Sequence, residues 1–249
     1  MSGQKLEVPR EFRRGGKAKD EEESKDTARN LIKVMYRGLG LEDFRDSRIL
    51  DMGCGVKMVQ VMMEDEIPLG GYVGIDVFSD LIEYLKANVT DPRFEFHSLD
   101  LHNEMYNPDG ERLTADTQLP VPEASFDVIC LFSVFTHLAP EDYVAMLKML
   151  RRYIKPGGKL IYSLFVFETT EGGHGFMDQV AKWMVVSEED LEKWPGPPDF
   201  KDWDPKNPLK WAIYSRKHAL ELLEGTGWEM EALNDPEPSI QHYMICSPV

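Results

Sequence analysis

The sequence predicts an α/β fold in which βαβ crossovers build a parallel sheet, and three observations carry that prediction. Four short apolar runs, RILDMG, GYVGID, FEFHSLD and FDVICLFS, recur between residues 48 and 133. Helix-like stretches such as SDLIEYLKAN (79–88) and PEDYVAMLKMLRRY (140–153) alternate with them, and short turns separate the two kinds. Strand, helix, strand in that rhythm is the pattern of right-handed crossovers. The third observation is size: 249 residues with 42% hydrophobic content can bury one substantial core in one large domain.

The elements follow in order. Residues 20–39 start acidic and carry Leu31, Met35 and Leu39 on one stripe, which predicts a helix after an N-terminal arm, with arm and helix together spanning 1–44. The four strand-like runs come next. Pro140, Glu141 and Asp142 open the helix at 140–153, because proline and acids suit a first turn. KPGG (155–158) reads as a turn and KLIYSLFVF (159–167) as a fifth strand. Residues 168–211 break the rhythm, holding four of the five tryptophans (Trp183, Trp194, Trp203 and Trp211), and 195–208 holds five prolines. This stretch is expected to be an insertion or cap on the substrate side, its tryptophans serving as packing or as an aromatic ligand wall. A helix at 215–227 that closes at glycine, then WEMEAL and HYMICSP as a hairpin-like strand pair, complete the chain.

Charge narrows the partners. Forty-four acids against 28 lysines and arginines leave a formal net charge of −16, which argues against a broad nucleic-acid surface. No run of 18 apolar residues spans a membrane, and the polar start MSGQKLEVPREFRRGG lacks a secretory stretch. Cys54, Cys130 and Cys246 form no CxxC pair and read as reduced, buried thiols of a cytoplasmic protein. The basic group Arg10, Arg13, Arg14, Lys17 and Lys19 is followed at once by DEEE, as in a solvated, charge-balanced arm; the sharper alternative is an arm folded over an anionic ligand.

In an open α/β sheet, ligands bind beyond the carboxyl ends of the strands, so the strand-end residues carry the chemistry. The first strand ends in Asp51-Met-Gly53-Cys54-Gly55, a turn in which glycines allow close backbone approach to a ligand. The second ends in Asp76, 23 residues after Gly53, the spacing at which a carboxylate holds a ribose diol. The third ends in Asp100, able to accept from an adenine amino group. The fourth ends near Ser133 and runs into VFTHLAP, which puts His137 in the loop above the crevice. The turn lacks the glycine spacing of a dinucleotide loop, with Lys57 and Met58 where a third glycine would fall, and Asp51 beside it would repel a pyrophosphate. A ligand with an ammonium and a sulfonium but no phosphate suits it better, and S-adenosylmethionine is that ligand. A nicotinamide-dependent oxidoreductase and a cofactor-binding protein without turnover are the rivals.

With ILDMGCG, YVGIDV, HSLDLHNEMYNP, SFDVICLFSVFTHL and IKPGGKLIYSLF in this order and spacing, the chain resembles the class I S-adenosylmethionine-dependent methyltransferases. More narrowly it resembles a bacterial small-molecule subgroup with a YNP-G loop and an SVFTHL segment. The likeness covers residues 45–167 well and the C-terminal elements more weakly. It implies a Rossmann-like, doubly wound sheet of seven strands with the last antiparallel and helices on both faces. It assigns Asp51, Gly53, Cys54 and Gly55 to the methionine part of the cofactor. Asp76 falls at the ribose with Val77 and Phe78 after it, Asp100 and Leu101 fall beside the adenine, and Phe132 and Ser133 along the cofactor's edge. The family's loop usually continues with glycine and a basic residue; here VKM stands instead.

The reaction implied is methyl transfer to a small-molecule acceptor, a hydroxyl on a sugar or other metabolite. His137 is the first candidate for the base that takes the hydroxyl proton, since imidazole titrates near neutrality; its alternative role is to hydrogen-bond a neighbouring loop and wall the pocket. His174, in EGGHGF just past the fifth strand, is the second candidate, and His242 a lesser one. Carboxylates around His174 do not make a diagnostic metal spacing, and no metal is expected.

Overall fold

The computed structural model describes residues 5–13, 20–103, 106–169, 198–203, 206, 208–236 and 240–249. The chain divides into two compact units. The first holds residues 1–112, 119–131 and 153–159, and the second holds 113–118, 132–152 and 160–249.

In the first unit, α1 (Glu21–Leu39) begins at Asp20, whose carboxylate accepts the N–H groups of Glu22 and Glu23. Three acids follow in the first turn, and Gly40 ends the helix in the left-handed region at φ 67°. Its apolar stripe, Ala28, Leu31, Ile32 and Met35, is buried. Then come β1 (Phe44–Met52), α2 (Lys57–Glu64), β2 (Leu69–Asp76), α3 (Ser79–Asn88), β3 (Phe94–Ser98) and β4 (Phe126–Leu131). β1 pairs in parallel with β2 and β4, and β2 in parallel with β3, so β1 lies between β2 and β4. That register aligns the carboxyl ends: Asp51 sits opposite Gly74 and Cys130, and Asp76 opposite Ser98. α2, unassigned by pattern, is buried from Met58 to Met63, and its eight residues are too few for a helical period to stand out in the sequence.

Of the basic group read as a solvated, charge-balanced arm, Arg10 is exposed and Arg13 is paired, while Arg14, Lys17 and Lys19 lie outside the described residues; the segment before that group is packed. Leu6 and Val8 are 2% and 3% exposed, and the intervening backbone is bonded to helices: Gln60 donates to the Leu6 carbonyl at 2.9 Å and the Tyr84 hydroxyl to that of Glu7. Arg13 donates to the Val8 carbonyl and pairs with Glu21 at 2.7 Å, so this cation is spent on the fold. Alternation of apolar Leu6 and Val8 with charged neighbours suits an extended segment buried on one side.

β5 (Ile154–Val166) starts earlier than the pattern suggested, because the KPGG segment is part of the strand. Gly157 has φ 79°, and a Cβ on Gly158 would lie 2.8 Å from the Ile154 side chain. The glycines therefore let the strand bend against its neighbours instead of reversing it.

In the second unit, α4 (Pro140–Arg151) has proline at its first turn, and the later part of β5 pairs with two partners. β9 (His242–Pro248) runs antiparallel to it with Leu164 opposite His242, and β8 (Trp228–Asn234) is antiparallel to β9. β6 (Phe200–Asp202) and β7 (Ala212–Tyr214) are two short strands the sequence did not announce. β7 joins β5 in parallel, with Phe165 opposite Ile213, and β6 joins β7 antiparallel. Three residues are too few to display a period of two. α5 (Arg216–Glu221) is capped by Ser215, which accepts the His218 N–H, and gives way to turns before Gly225 and Gly227. The closing strand pair and the antiparallel last strand agree with expectation.

Candidate functional site

The first unit brings most of the proposed cofactor residues together. Gly53 and Gly55 lie at φ 76° and 53°, a conformation costly to any side chain. Both the Gly53 and Cys54 N–H groups donate to the Ile75 carbonyl, at 2.7 and 3.1 Å. A Cβ built on Gly55 would meet nothing within 4 Å, so open space lies over this turn. Asp76, 4% exposed, is the clasp: one carboxylate oxygen accepts the Gly55 N–H and the other the Phe78 N–H, each at 3.0 Å. It is not the N-cap of α3, which is Phe78. The carboxylate thus joins the turn after β1 to the turn after β2.

Asp51 is fully buried and accepts the Tyr72 hydroxyl at 2.6 Å. Burial pushes its pKa up to about 6; the Tyr72 and Cys130 donors and the Lys57 charge oppose the rise, and the Asp76 charge adds to it. Tyr72 was not among the sequence candidates, although it stands in the quoted GYVGID run. Lys57 is half-buried as the first residue of α2 and has ordinary helical backbone, so its place in the loop brings no backbone strain.

Asp100 is exposed and Leu101 buried, and the loop after them is tied back on itself. The Leu99 N–H donates to the Asp76 carbonyl at 3.1 Å. The Asn107 amide donates to the Asp100 carboxylate at 2.9 Å and to the Leu101 carbonyl at 3.0 Å. A Cβ on Gly110 would lie 2.4 Å from the Leu101 backbone, so only glycine fits there. The YNP-G segment is therefore the device that holds Asp100 and Leu101. Phe78, half-buried next to Val77, has Phe12 edge-on at 5.7 Å and Tyr106 stacked at 6.1 Å between ring centres.

Within the second unit, Phe132 is buried and meets Tyr243 edge-on. Ser133 lies at φ 61°, uncommon for a residue with a Cβ. Its N–H donates to the Ser163 hydroxyl at 2.8 Å, and its own hydroxyl pairs with the Gln241 amide. Strain of this kind persists only where the surroundings over-determine it.

His137 ends a 3-10 turn (Phe135–His137), and its Nδ1 bonds the Leu209 carbonyl at 3.0 Å. A carbonyl only accepts, so Nδ1 carries the proton. Burial lowers its pKa, with the Leu209 and Lys210 backbone opposing, so the ring is neutral at pH 7. This bond is the one a wall-and-anchor role needs, and it also fixes a tautomer. His242 is fully buried with its nearest acid, Asp235, at 3.8 Å, and burial lowers its pKa to about 4. His174, Trp183 and Trp194 lie outside the described residues. Trp203 and Trp211 pack against Phe165, Phe167, Ile213 and Ile240.

The three cysteines are buried, and none is in a disulfide. Among the described residues no helix is long and apolar enough to cross a membrane, and no cluster of three His, Cys, Asp or Glu residues is placed to hold a metal.

Buried acids at the ends of β1 and β2, joined through a glycine turn with open space above it, suit a nucleoside-bearing cation. The chain belongs to the methyltransferase domain family, whose model matches residues 24–233. It is 33% identical over 114 residues to an uncharacterised methyltransferase of Schizosaccharomyces pombe, covering 46% of this chain and 38% of that one. It is 29% identical over 118 residues to a demethylmenaquinone methyltransferase of Listeria monocytogenes, covering 47% and 44%. The chain thus spans less than half the length of these curated relatives. Among solved structures, the fold is similar to the 1,6-didemethyltoxoflavin-N1-methyltransferase of Burkholderia thailandensis, which carries S-adenosylhomocysteine. The TM-score is 0.54 at 15% identity, over 92% of this chain and 80% of that one. The fold is Rossmann-like, as in this neighbour, and membership of the methyltransferase family supports S-adenosylmethionine as the cofactor.

Proposed function

We propose that this chain transfers the methyl group of S-adenosylmethionine to a small-molecule acceptor, through a hydroxyl of a sugar or other metabolite, with residues 1–249 acting as one catalytic domain. The observation that carries the reading is the Asp76 clasp: a buried carboxylate bonded to both the glycine turn and the Phe78 turn, at the strand end where a ribose diol is held. The residues fit the cofactor on chemical grounds. Asp51 would face the methionyl ammonium and repel a pyrophosphate, Gly53, Cys54 and Gly55 would line the methionine part, and Val77, Phe78, Asp100 and Leu101 would border the nucleoside. Phe132 and Ser133 would lie along its edge.

When bound, S-adenosylmethionine supplies an electrophilic methyl group on a sulfonium. The chain's own work is to hold the acceptor in line, exclude water and, for a hydroxyl, take its proton. His137, neutral at pH 7 with its proton on Nδ1, is the first candidate to accept that proton at Nε2; His174 is the second. The apolar cluster of Phe165, Trp203 and Trp211, with Lys201 over the Trp203 ring at 4.5 Å, supports a small acceptor with apolar and aromatic complementarity. Demethylmenaquinone and didemethyltoxoflavin, the compounds named for two similar proteins, are small molecules.

Calorimetric titration with S-adenosylmethionine, S-adenosylhomocysteine and NADH tests the reading. Micromolar binding of the first two, lost in Asp76→Ala, is expected, followed by S-adenosylhomocysteine release with an acceptor panel. Binding of NADH alone would refute it.

A further inference from the structure

Position 57 is where this chain leaves its family's loop, and a lysine there is opposed by three physical effects. It stands in the first turn of α2, where unpaired N–H groups carry partial positive charge and no acid offsets it. Half-burial strips part of its hydration, and its pKa falls accordingly, with only the Asp51 charge working the other way. Among the described residues, its ammonium makes no hydrogen bond or ion pair. Other partly buried cations of the unit are matched: Lys25 pairs with Glu64 at 2.9 Å and Arg29 with Asp65 at 2.8 Å. A residue that breaks local preferences without compensation marks a functional position.

The surroundings say which ligand group would compensate. Lys57 follows Gly53 and Gly55 directly, and open space lies over Gly55. Asp51, the acid within its electrostatic reach, is already engaged by the Tyr72 hydroxyl. A phosphate would be attracted by Lys57 and repelled by Asp51, whereas an amino acid end carries both charges and answers both side chains. We propose that Lys57 holds the α-carboxylate of the cofactor's methionyl end while Asp51 faces its α-ammonium. This assignment rests on reading the site as an S-adenosylmethionine pocket. It makes the missing glycine a substitution of function: a side-chain cation serves a carboxylate.

The test compares S-adenosylhomocysteine with its decarboxylated analogue, identical except for the α-carboxylate, by calorimetric titration of the wild type, Lys57→Met, Lys57→Gly and Lys57→Arg. The wild type should prefer S-adenosylhomocysteine by about tenfold to a hundredfold, the range of a charge-assisted hydrogen bond. Lys57→Met and Lys57→Gly should bind both compounds equally, at the level of the analogue, and Lys57→Arg should recover most of the preference. Tighter binding of S-adenosylhomocysteine by Lys57→Gly would overturn the proposal, because Lys57 would then be an obstruction. Undiminished preference in Lys57→Met would overturn it too. If the wild type binds neither compound, the cofactor reading itself has failed and Lys57's role falls with it.

Discussion

Replacing Asp76 should weaken the fold and the cofactor site together, because the same carboxylate serves both. Two N–H groups, those of Gly55 and Phe78, each bond one of its oxygens at 3.0 Å, and the side chain is 4% exposed. A hydrogen bond to a charged group contributes about 1.5–3 kcal/mol, and an orphaned buried donor costs about 1–3 kcal/mol. The Gly55 turn is half-exposed, so water replaces part of what that N–H loses. Asp76→Ala should therefore cost about 3 kcal/mol, and Asp76→Asn, which keeps one acceptor oxygen, about half as much. For a chain of this size, 3 kcal/mol corresponds to a fall in Tm of about 6–12 °C. Urea unfolding and thermal melts of the three proteins measure it. If Asp76→Ala melts within a degree of the wild type, the clasp does not hold the two turns together, and the proposed ribose site loses its physical basis.

Asp51 has a folded pKa of about 6 against an ordinary 3.8, so the folded state binds the extra proton and stability is lost as pH rises through that interval. Asp51→Asn, which still accepts the Tyr72 hydroxyl, should gain stability relative to wild type between about pH 4 and 6 in pH-dependent melts; a constant difference would contradict the assignment. A cofactor ammonium favours the ionised Asp51, so wild-type affinity for S-adenosylhomocysteine should rise with pH up to about 6 and then level, as read by titration calorimetry. Tyr72→Phe removes the hydroxyl 2.6 Å from that carboxylate. It should cost about 1–3 kcal/mol by urea unfolding and weaken cofactor binding, and unchanged values on both would refute the link. Gly110→Ala forces a Cβ to 2.4 Å from the Leu101 backbone. It should lower adenosine-ligand affinity at least tenfold without affecting Lys57-dependent carboxylate discrimination, a split that paired titrations resolve.

Much of the first unit was legible because its signals are local. The strands that end in Asp51 and Asp76 are apolar runs bounded by glycine or acid, and parallel pairing then brings their carboxyl ends level. α1 announced itself through acids at its start and one apolar stripe. Where those signals were absent, the sequence was silent. α2 is eight residues long and β6 and β7 three each, too short to display a period, and KPGG carries turn residues although the strand runs on through it. The packing of Leu6 and Val8 went unannounced because charge dominates the composition around these two apolar residues.

For the site, the sequence by itself determined which acids end the strands and that the glycine turn departs from a dinucleotide loop at Met58, with Lys57 beside it. Those are properties of order and spacing. Only the tertiary structure decided what these residues do to one another. Asp76 became a clasp because chain folding brought N–H groups 21 and two residues away to its two oxygens. Tyr72 became the donor to Asp51, and Asn107 with Gly110 the brace for Asp100 and Leu101. His137 received a carbonyl partner 72 residues away that fixes its proton on Nδ1. Hydrogen bonds and desolvation depend on distance in space, and a linear sequence lists which groups are present without saying which will be buried against which.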